Sequence, residues 1–328
     1  MKQAIWDILP DGRQVSLYTL ENEYIRVTVS DLGATVTELA LPDREGQWRD
    51  VALGFDTPEE YLTKPGNLGA TIGRYAGRIA NGRFPLNGET VQLMCNRGKH
   101  TIHGGPDGFH RRLWTVEEFG ENRIVLQLVS PDGDQGFPGT MTCRTALTMV
   151  KNSLTMEFWA ESDRDTVCSL TSHTYWNLAG HNHGIVDGHV LVVDSETCLE
   201  TDEETIPTGG FLHFGSLRQG AVLNSVEADH TLVLKEGDEL RFAARLENPE
   251  SGRWMELFTD LPGLQVYTGD HLPKGMGGKN GAVYGPRSGV CLEPQSWPDS
   301  PNHPHFPNTT LWAGETIHHT IRWEFGIV

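Results

Sequence analysis

An all-β protein, folded as a single large antiparallel β-sandwich over residues 1–328, is predicted by three features of the sequence. Apolar and polar residues alternate with a period of two wherever a period is legible, and helical periodicity is nearly absent. Glycine supplies 37 of 328 residues, about 11% against a usual roughly 7%, which suits many tight turns.

The elements follow in chain order. Ile25, Val27 and Val29 alternate with Arg26, Thr28 and Ser30, the pattern of a half-buried strand. Thr57-Pro58-Glu59-Glu60-Tyr61 carries a Thr N-cap, Pro at the first helical position and Glu at the third, the start of one short helix. Cys143, Thr145, Leu147 and Met149 alternate with polar or small neighbours up to Lys151-Asn152-Ser153, after which Leu154, Met156 and Phe158 resume the period. These two runs predict a hairpin. Further short runs lie at 124–129, 190–193, 232–234, 264–267, 289–292 and 316–325, separated by turns such as Pro131-Asp132-Gly133. Parallel βαβ units would need helices of roughly 10 to 15 residues between strands, and none is legible. No repeat, low-complexity tract or linker divides the chain.

Composition excludes several classes. Hydrophobic residues make up 38% and charged residues 21%, which rules out a disordered chain. The formal charge of −18 repels phosphate backbones and anionic lipid headgroups, so neither nucleic acid nor a membrane surface is an expected partner. No segment reaches the roughly 20 apolar residues of a membrane span. MKQAIWDILPDGRQ lacks the apolar region of a secretory signal, so a cytoplasmic protein is expected. The five cysteines are odd in number and form no CxxC pair, so reduced thiols are expected rather than a disulfide framework or a cysteine zinc site.

Four polar segments among the turns could carry chemistry. Arg74, Arg78 and Arg83 lie in a glycine-rich stretch, and a guanidinium fork suits the neighbouring oxygens of a polyol, although by residue type alone arginines that tie loops to backbone carbonyls are the commoner case. His103 precedes Gly104-Gly105, where the backbone can turn sharply and expose an imidazole to a cleft or merely brace the turn. His173 and Tyr175 share one face of an extended chain, aimed at a cavity or satisfied inside a core. Glu293 stands among apolar residues at a strand end, where desolvation raises a carboxyl pKa toward that of a general base; an ion pair with an arginine is the alternative.

Three weaker signals remain. His181-x-His183 and His303-x-His305 have the spacing of paired metal ligands, but Asn, Gly and Pro around them point to surface turns, so no metal site is expected. Trp176 or Trp297 could stack on a sugar's apolar face, although most tryptophans belong to the core. The acidic surplus reads as a solvated surface.

Eight motifs resemble the aldose 1-epimerases, or galactose mutarotases, in unbroken order from about Leu32 onward. They are IGRYAGRIANGRF, HGGPDGFHRRLW, SPDGDQGFPG, HTYWNLAG, LQVYTGDHL, NGAVY, CLEPQSWPDSPNHPHFP and WAGETIHHTIRWEF. The resemblance implies the antiparallel sandwich already expected from the strands. It further implies that His173 is the general acid and Glu293 the general base of a sugar anomerisation. By the same resemblance Arg78 and His103 hold the ring oxygen and hydroxyls, Asp229 binds hydroxyls, and Gln265 contacts the base or the sugar; Tyr175 joins them through its place beside His173. A small pyranose is the implied partner, no cofactor is required, and monomer and homodimer are both compatible. Gly77, Thr174, Trp176 and Ala228 depart from the family pattern around the pocket, so the resemblance implies the reaction more firmly than galactose as the sugar.

The chemistry needs one base and one acid: loss of the anomeric hydroxyl proton and gain of a proton by the ring oxygen open the ring. A carboxylate such as Glu293 or Asp229 is expected to keep His173 protonated near neutral pH. Two rival classes use the same residues, a glycoside hydrolase pairing Glu293 with Asp229 and a carbohydrate-binding protein without catalysis.

Overall fold

The computed structural model describes residues 1–328 apart from 236 and 238. Its largest sheet has nine strands, whose middle strand is the long Thr316–Ile327, with the expected hairpin Met141–Val150 and Ser153–Ser162 beside it. The hairpin turns on two residues, with Lys151 in the left-handed region at φ 52°. A six-stranded sheet runs Tyr175–Trp176, Val290–Gln295, Gly263–Tyr267, Asp229–Val233, Thr197–Thr201 and Pro207–His213. A five-stranded sheet takes the chain from Lys2–Ile8 to Trp48–Asp50. Every named strand pairing is antiparallel, as the period-two pattern requires.

The main core gathers the inward face of the nine-stranded sheet, including Leu147, Met156 and Trp323, against Val27 and Val36 of the five-stranded sheet and Leu264, Val266 and Leu292 of the six-stranded one. Ile25, Val27 and Val29 are fully buried as expected, but Thr28 and Ser30 are buried too. Their strand is covered on both faces, and the hydroxyls are satisfied locally: Thr28 donates to Glu38 at 2.9 Å, and Ser30 accepts from the Leu32 N–H at 3.1 Å. The predicted short helix is Pro58–Thr63, closed by a capping box between Thr57 and Glu60. Among the described residues, no helix is long and apolar enough to cross a membrane.

Parity along the six-stranded sheet decides where chemistry can sit. Leu232, Leu264, Val266, Val290 and Leu292 are core residues. The intervening Thr231, Gln265, Tyr267, Cys291, Glu293 and Gln295 therefore point to the opposite face. Register aligns them across the strands: Thr231 pairs with Gln265, Gln265 with Glu293, and Tyr267 with Cys291.

Candidate active site

On that opposite face lies a cleft of about 300 Å³ whose lining includes Arg78, His103, His173, Tyr175, Asp229, Gln265 and Glu293. All seven residues singled out in the sequence meet there, from six separate stretches of chain.

Glu293 forms part of the floor and is 2% exposed. Its Oε2 has no hydrogen-bond partner, and burial pushes its carboxyl well above the ordinary range, with the Asp229 carboxylate adding to the effect. His173 arrives from another segment, clamped by its backbone: its N–H donates to the Ala70 carbonyl and its carbonyl accepts from the Gly69 N–H, both at 2.9 Å. Gly69 has φ +70°, and a Cβ there would meet the Val36 carbonyl oxygen at 2.1 Å, so the clamp depends on glycine. His173 Nδ1 lies 3.8 Å from Glu293 Oε1 and 3.6 Å from Cys291 Sγ. The ring stacks on Tyr175 at 5.2 Å, as strand alternation predicted, and meets His103 edge-on at 5.3 Å.

The expectation that a carboxylate keeps His173 charged is not met. Burial holds its pKa down to about 4, because losing water penalises the imidazolium more than the neighbouring carboxyl, itself driven toward its neutral form, can restore. Burial thus favours the neutral form of both groups, the carboxylic acid of Glu293 and the uncharged imidazole of His173.

His103 sits at φ 52° ahead of Gly104 and Gly105, the sharp turn its sequence neighbours implied. The Gly77 N–H donates to His103 Nδ1 at 3.3 Å, while the Gly77 carbonyl accepts from the His103 N–H at 3.1 Å. With Nδ1 accepting, the ring proton belongs on Nε2. Burial, with His173 and Arg78 nearby, keeps the ring neutral. Gly77 has φ +75°, and a Cβ would stand 2.8 Å from Pro298, so this departure from the family pattern is a backbone requirement.

The three arginines have three fates. Arg74 is buried and bonds the Ser130, Pro131 and Pro138 carbonyls, the loop-tying role. Arg83 is exposed. Arg78 lines the cleft with its Nε unpartnered and its pKa lowered by burial, against which the Asp229 charge works. Asp229 in turn accepts from Gln265 Nε2 at 2.8 Å, and Gln265 Oε1 accepts from Thr231 at 2.6 Å. Gln265 thus orients Asp229, although its backbone pairs with Glu293.

Two expectations are corrected. Trp176 is a core residue packed on Trp323 and Phe325, and Trp297 packs on Phe211 and Phe306 with its N–H given to the Pro262 carbonyl; neither lines the cleft. The aromatic wall is instead Tyr175 and Tyr267, edge to face at 6.0 Å. His181 is buried against the Tyr284 hydroxyl at 2.9 Å rather than in a surface turn, and His303 and His305 donate to the Pro207 and Gly209 carbonyls. Asn67, Tyr267, His271 and Gln295 also line the cleft and were not singled out. For Tyr267 and Gln295 the signal was available, since each follows a named residue by two on the same strand face.

The cleft can take a small polyhydroxy ring: a proton-sharing pair on its floor, donors from Arg78 and His103, and an acceptor in Asp229. Comparison with known proteins agrees. The family described as aldose 1-epimerase matches residues 16–324. The galactose mutarotase of Bos taurus is 38% identical, covering 99% of this chain and 98% of its own. The aldose 1-epimerase of Haemophilus influenzae is 37% identical over 91% of this chain and 92% of its own. Among solved structures, the aldose epimerase homologue from C. elegans superposes with a TM-score of 0.91 at 27% identity, covering 96% of this chain and 99% of that one. The galactose 1-epimerase from Lactobacillus acidophilus gives 0.84 at 26% identity, covering 99% and 98%. By sequence over nearly its whole length, this chain belongs to the aldose 1-epimerase family, isomerases that interconvert the anomers of aldoses.

Proposed function

We propose that Glu293 and His173 carry the two proton transfers of anomerisation on a neutral aldohexose pyranose, within one β-sandwich domain spanning residues 1–328. The observation that carries this reading is the 3.8 Å approach of His173 Nδ1 to Glu293 Oε1 on the floor of the cleft. Both groups are desolvated.

Before reaction the shared proton moves from Glu293 to His173 Nδ1, giving a carboxylate and an imidazolium without changing the net charge of the pair. Glu293 then takes the proton of the anomeric hydroxyl as the carbon–oxygen double bond forms. The bond from anomeric carbon to ring oxygen breaks with its electron pair going to oxygen, which takes a proton from His173. Rotation of the open aldehyde and reclosure with the roles reversed give the other anomer. Each group supplies on the order of 10² to 10⁴ in rate. Arg78 and the Nε2–H of His103 donate to ring and hydroxyl oxygens, and Asp229, held by Gln265, accepts from hydroxyls. The phenol of Tyr175, kept protonated by burial, packs under the His173 ring.

Galactose, which the name of the Bos taurus relative carries, is the first sugar to test. Freshly dissolved α-anomers of galactose, glucose, arabinose, xylose and fucose, followed by polarimetry, should relax faster than the spontaneous rate for at least one sugar. Release of reducing sugar from a glycoside would favour a hydrolase, and binding without faster relaxation would favour a carbohydrate-binding protein.

A further inference from the structure

We propose that His173, Cys291 and Glu293 together form a binding site for a soft divalent transition metal of the Zn²⁺ class, and that a metal held there blocks anomerisation. The second half rests on the proton-transfer roles given above; the first half stands on geometry alone.

The His173 Nδ1, the Cys291 Sγ and a Glu293 carboxylate oxygen all lie within 4.8 Å of one another, and among the described residues no other group of three such ligands is found. Two separations are 3.6 Å from Sγ to Nδ1 and 3.8 Å from Nδ1 to Oε1. A tetrahedral centre with bonds of about 2.0–2.3 Å has ligand-to-ligand edges of about 3.3–3.8 Å. Two edges are therefore already those of a zinc site, and a small rotation of the Glu293 carboxylate closes the third.

Strand geometry produces this arrangement. Cys291 and Glu293 are two apart on Val290–Gln295 and so share a face, while the neighbouring strand Tyr175–Trp176, paired to it at Cys291, brings His173 alongside. All three side chains are buried, and Glu293 Oε2 has no partner, so the site offers an acceptor that nothing in the protein uses. One nitrogen, one sulfur and one oxygen ligand suit Zn²⁺, Co²⁺ or Cd²⁺ over Mg²⁺ or Ca²⁺. His173 and Glu293 line the cleft, and the fourth position is left to water. Coordination forms metal–N, metal–S and metal–O bonds and releases the thiol and carboxyl protons to solvent, with no change of oxidation state. The histidine pairs noticed in the sequence lack such a third ligand, since their ring nitrogens are engaged by carbonyls, Tyr284 and Arg49.

The test uses Co²⁺ as a spectroscopic probe of the metal-stripped enzyme and Zn²⁺ as the inhibitor. Co²⁺ should bind one to one with a thiolate-to-cobalt charge-transfer band in the near ultraviolet. Cys291→Ser should abolish the band and weaken Co²⁺ binding by at least about tenfold, the loss that removal of even an outer-shell partner brings. His173→Asn, which leaves the thiol in place, should weaken binding by a similar factor, and Cys95→Ser, at the exposed thiol, should leave the band intact. Zn²⁺ should slow relaxation of the α-anomer competitively with sugar, and Cys291→Ser should lose that sensitivity relative to its own metal-free rate. Absence of the band, or its loss in Cys95→Ser but not Cys291→Ser, overturns the site and leaves the catalytic roles to the kinetics of Glu293 variants. A band without inhibition upholds the site and overturns the block, and with it the role of the pair in proton transfer.

Discussion

His173 Nδ1 lies 3.8 Å from Glu293 Oε1, and burial disfavours the charged form of both groups. In the proposed mechanism the active form is the pair with one proton, whichever residue holds it, so the pH profile belongs to the pair. Below a pH of about 4 His173 takes a second proton and the base is lost. At high pH the shared proton leaves Glu293, whose pKa burial has raised, and the acid is lost. The profile of kcat/KM for the free enzyme should be a broad bell with its acid limb near 4, and His173→Asn should remove that limb together with most of the turnover. An acid limb centred at about 6.5, the ordinary imidazole value, would contradict the account.

Arg78 is desolvated, has an unpartnered Nε and faces Asp229 across the cleft. Lysine keeps the charge but loses the planar fork. Arg78→Lys should lower kcat/KM about 10- to 100-fold, the equivalent of roughly 1.5–3 kcal/mol for a hydrogen bond to a charged group. Steady-state kinetics with the preferred sugar check it; a change under twofold would remove Arg78 from sugar binding.

Gln265 donates to Asp229 at 2.8 Å, and in the proposed mechanism it acts on the sugar through that carboxylate. Gln265→Leu and Asp229→Asn should each raise KM, and the double variant should be less impaired than the sum of the two by at least about 0.5 kcal/mol, since both break one contact network. Additive effects would show that the two residues act separately.

Gly104 has φ +82°, and a Cβ there would stand 1.9 Å from the Gly73 carbonyl oxygen. Gly104→Ala should destabilise the fold by more than about 1 kcal/mol and displace His103 from the cleft, lowering both Tm and sugar affinity. Thermal melts alongside sugar titrations check this, and an unchanged Tm would show that the turn can relax.

Much of this was legible in the residues themselves. Strict alternation over Cys143 to Phe158 located the hairpin, and Thr57-Pro58 with Glu60 located the α-helix Pro58–Thr63, because each pattern is local. The seven site residues were legible partly from chemistry and partly from the resemblance of their motifs. What remained hidden depends on pairing between distant strands. Cys291 beside His173 is set by the register of Tyr175–Trp176 against Val290–Gln295, which no local pattern encodes. The neutral state of His173 likewise follows from how deeply the cleft floor is buried. Trp176 looked like a stacking platform because it adjoins His173 and Tyr175, yet alternation turns it toward Trp323 and the core.

The central claim is that Glu293 moves the anomeric proton, and Glu293→Gln tests it most directly, since the amide keeps shape and hydrogen bonding but accepts no proton. Anomer exchange measured by magnetisation transfer should fall by on the order of 10² to 10⁴, with sugar affinity from titration calorimetry within a few fold of wild type. A correctly folded Glu293→Gln enzyme that exchanges anomers at near the wild-type rate would contradict the account.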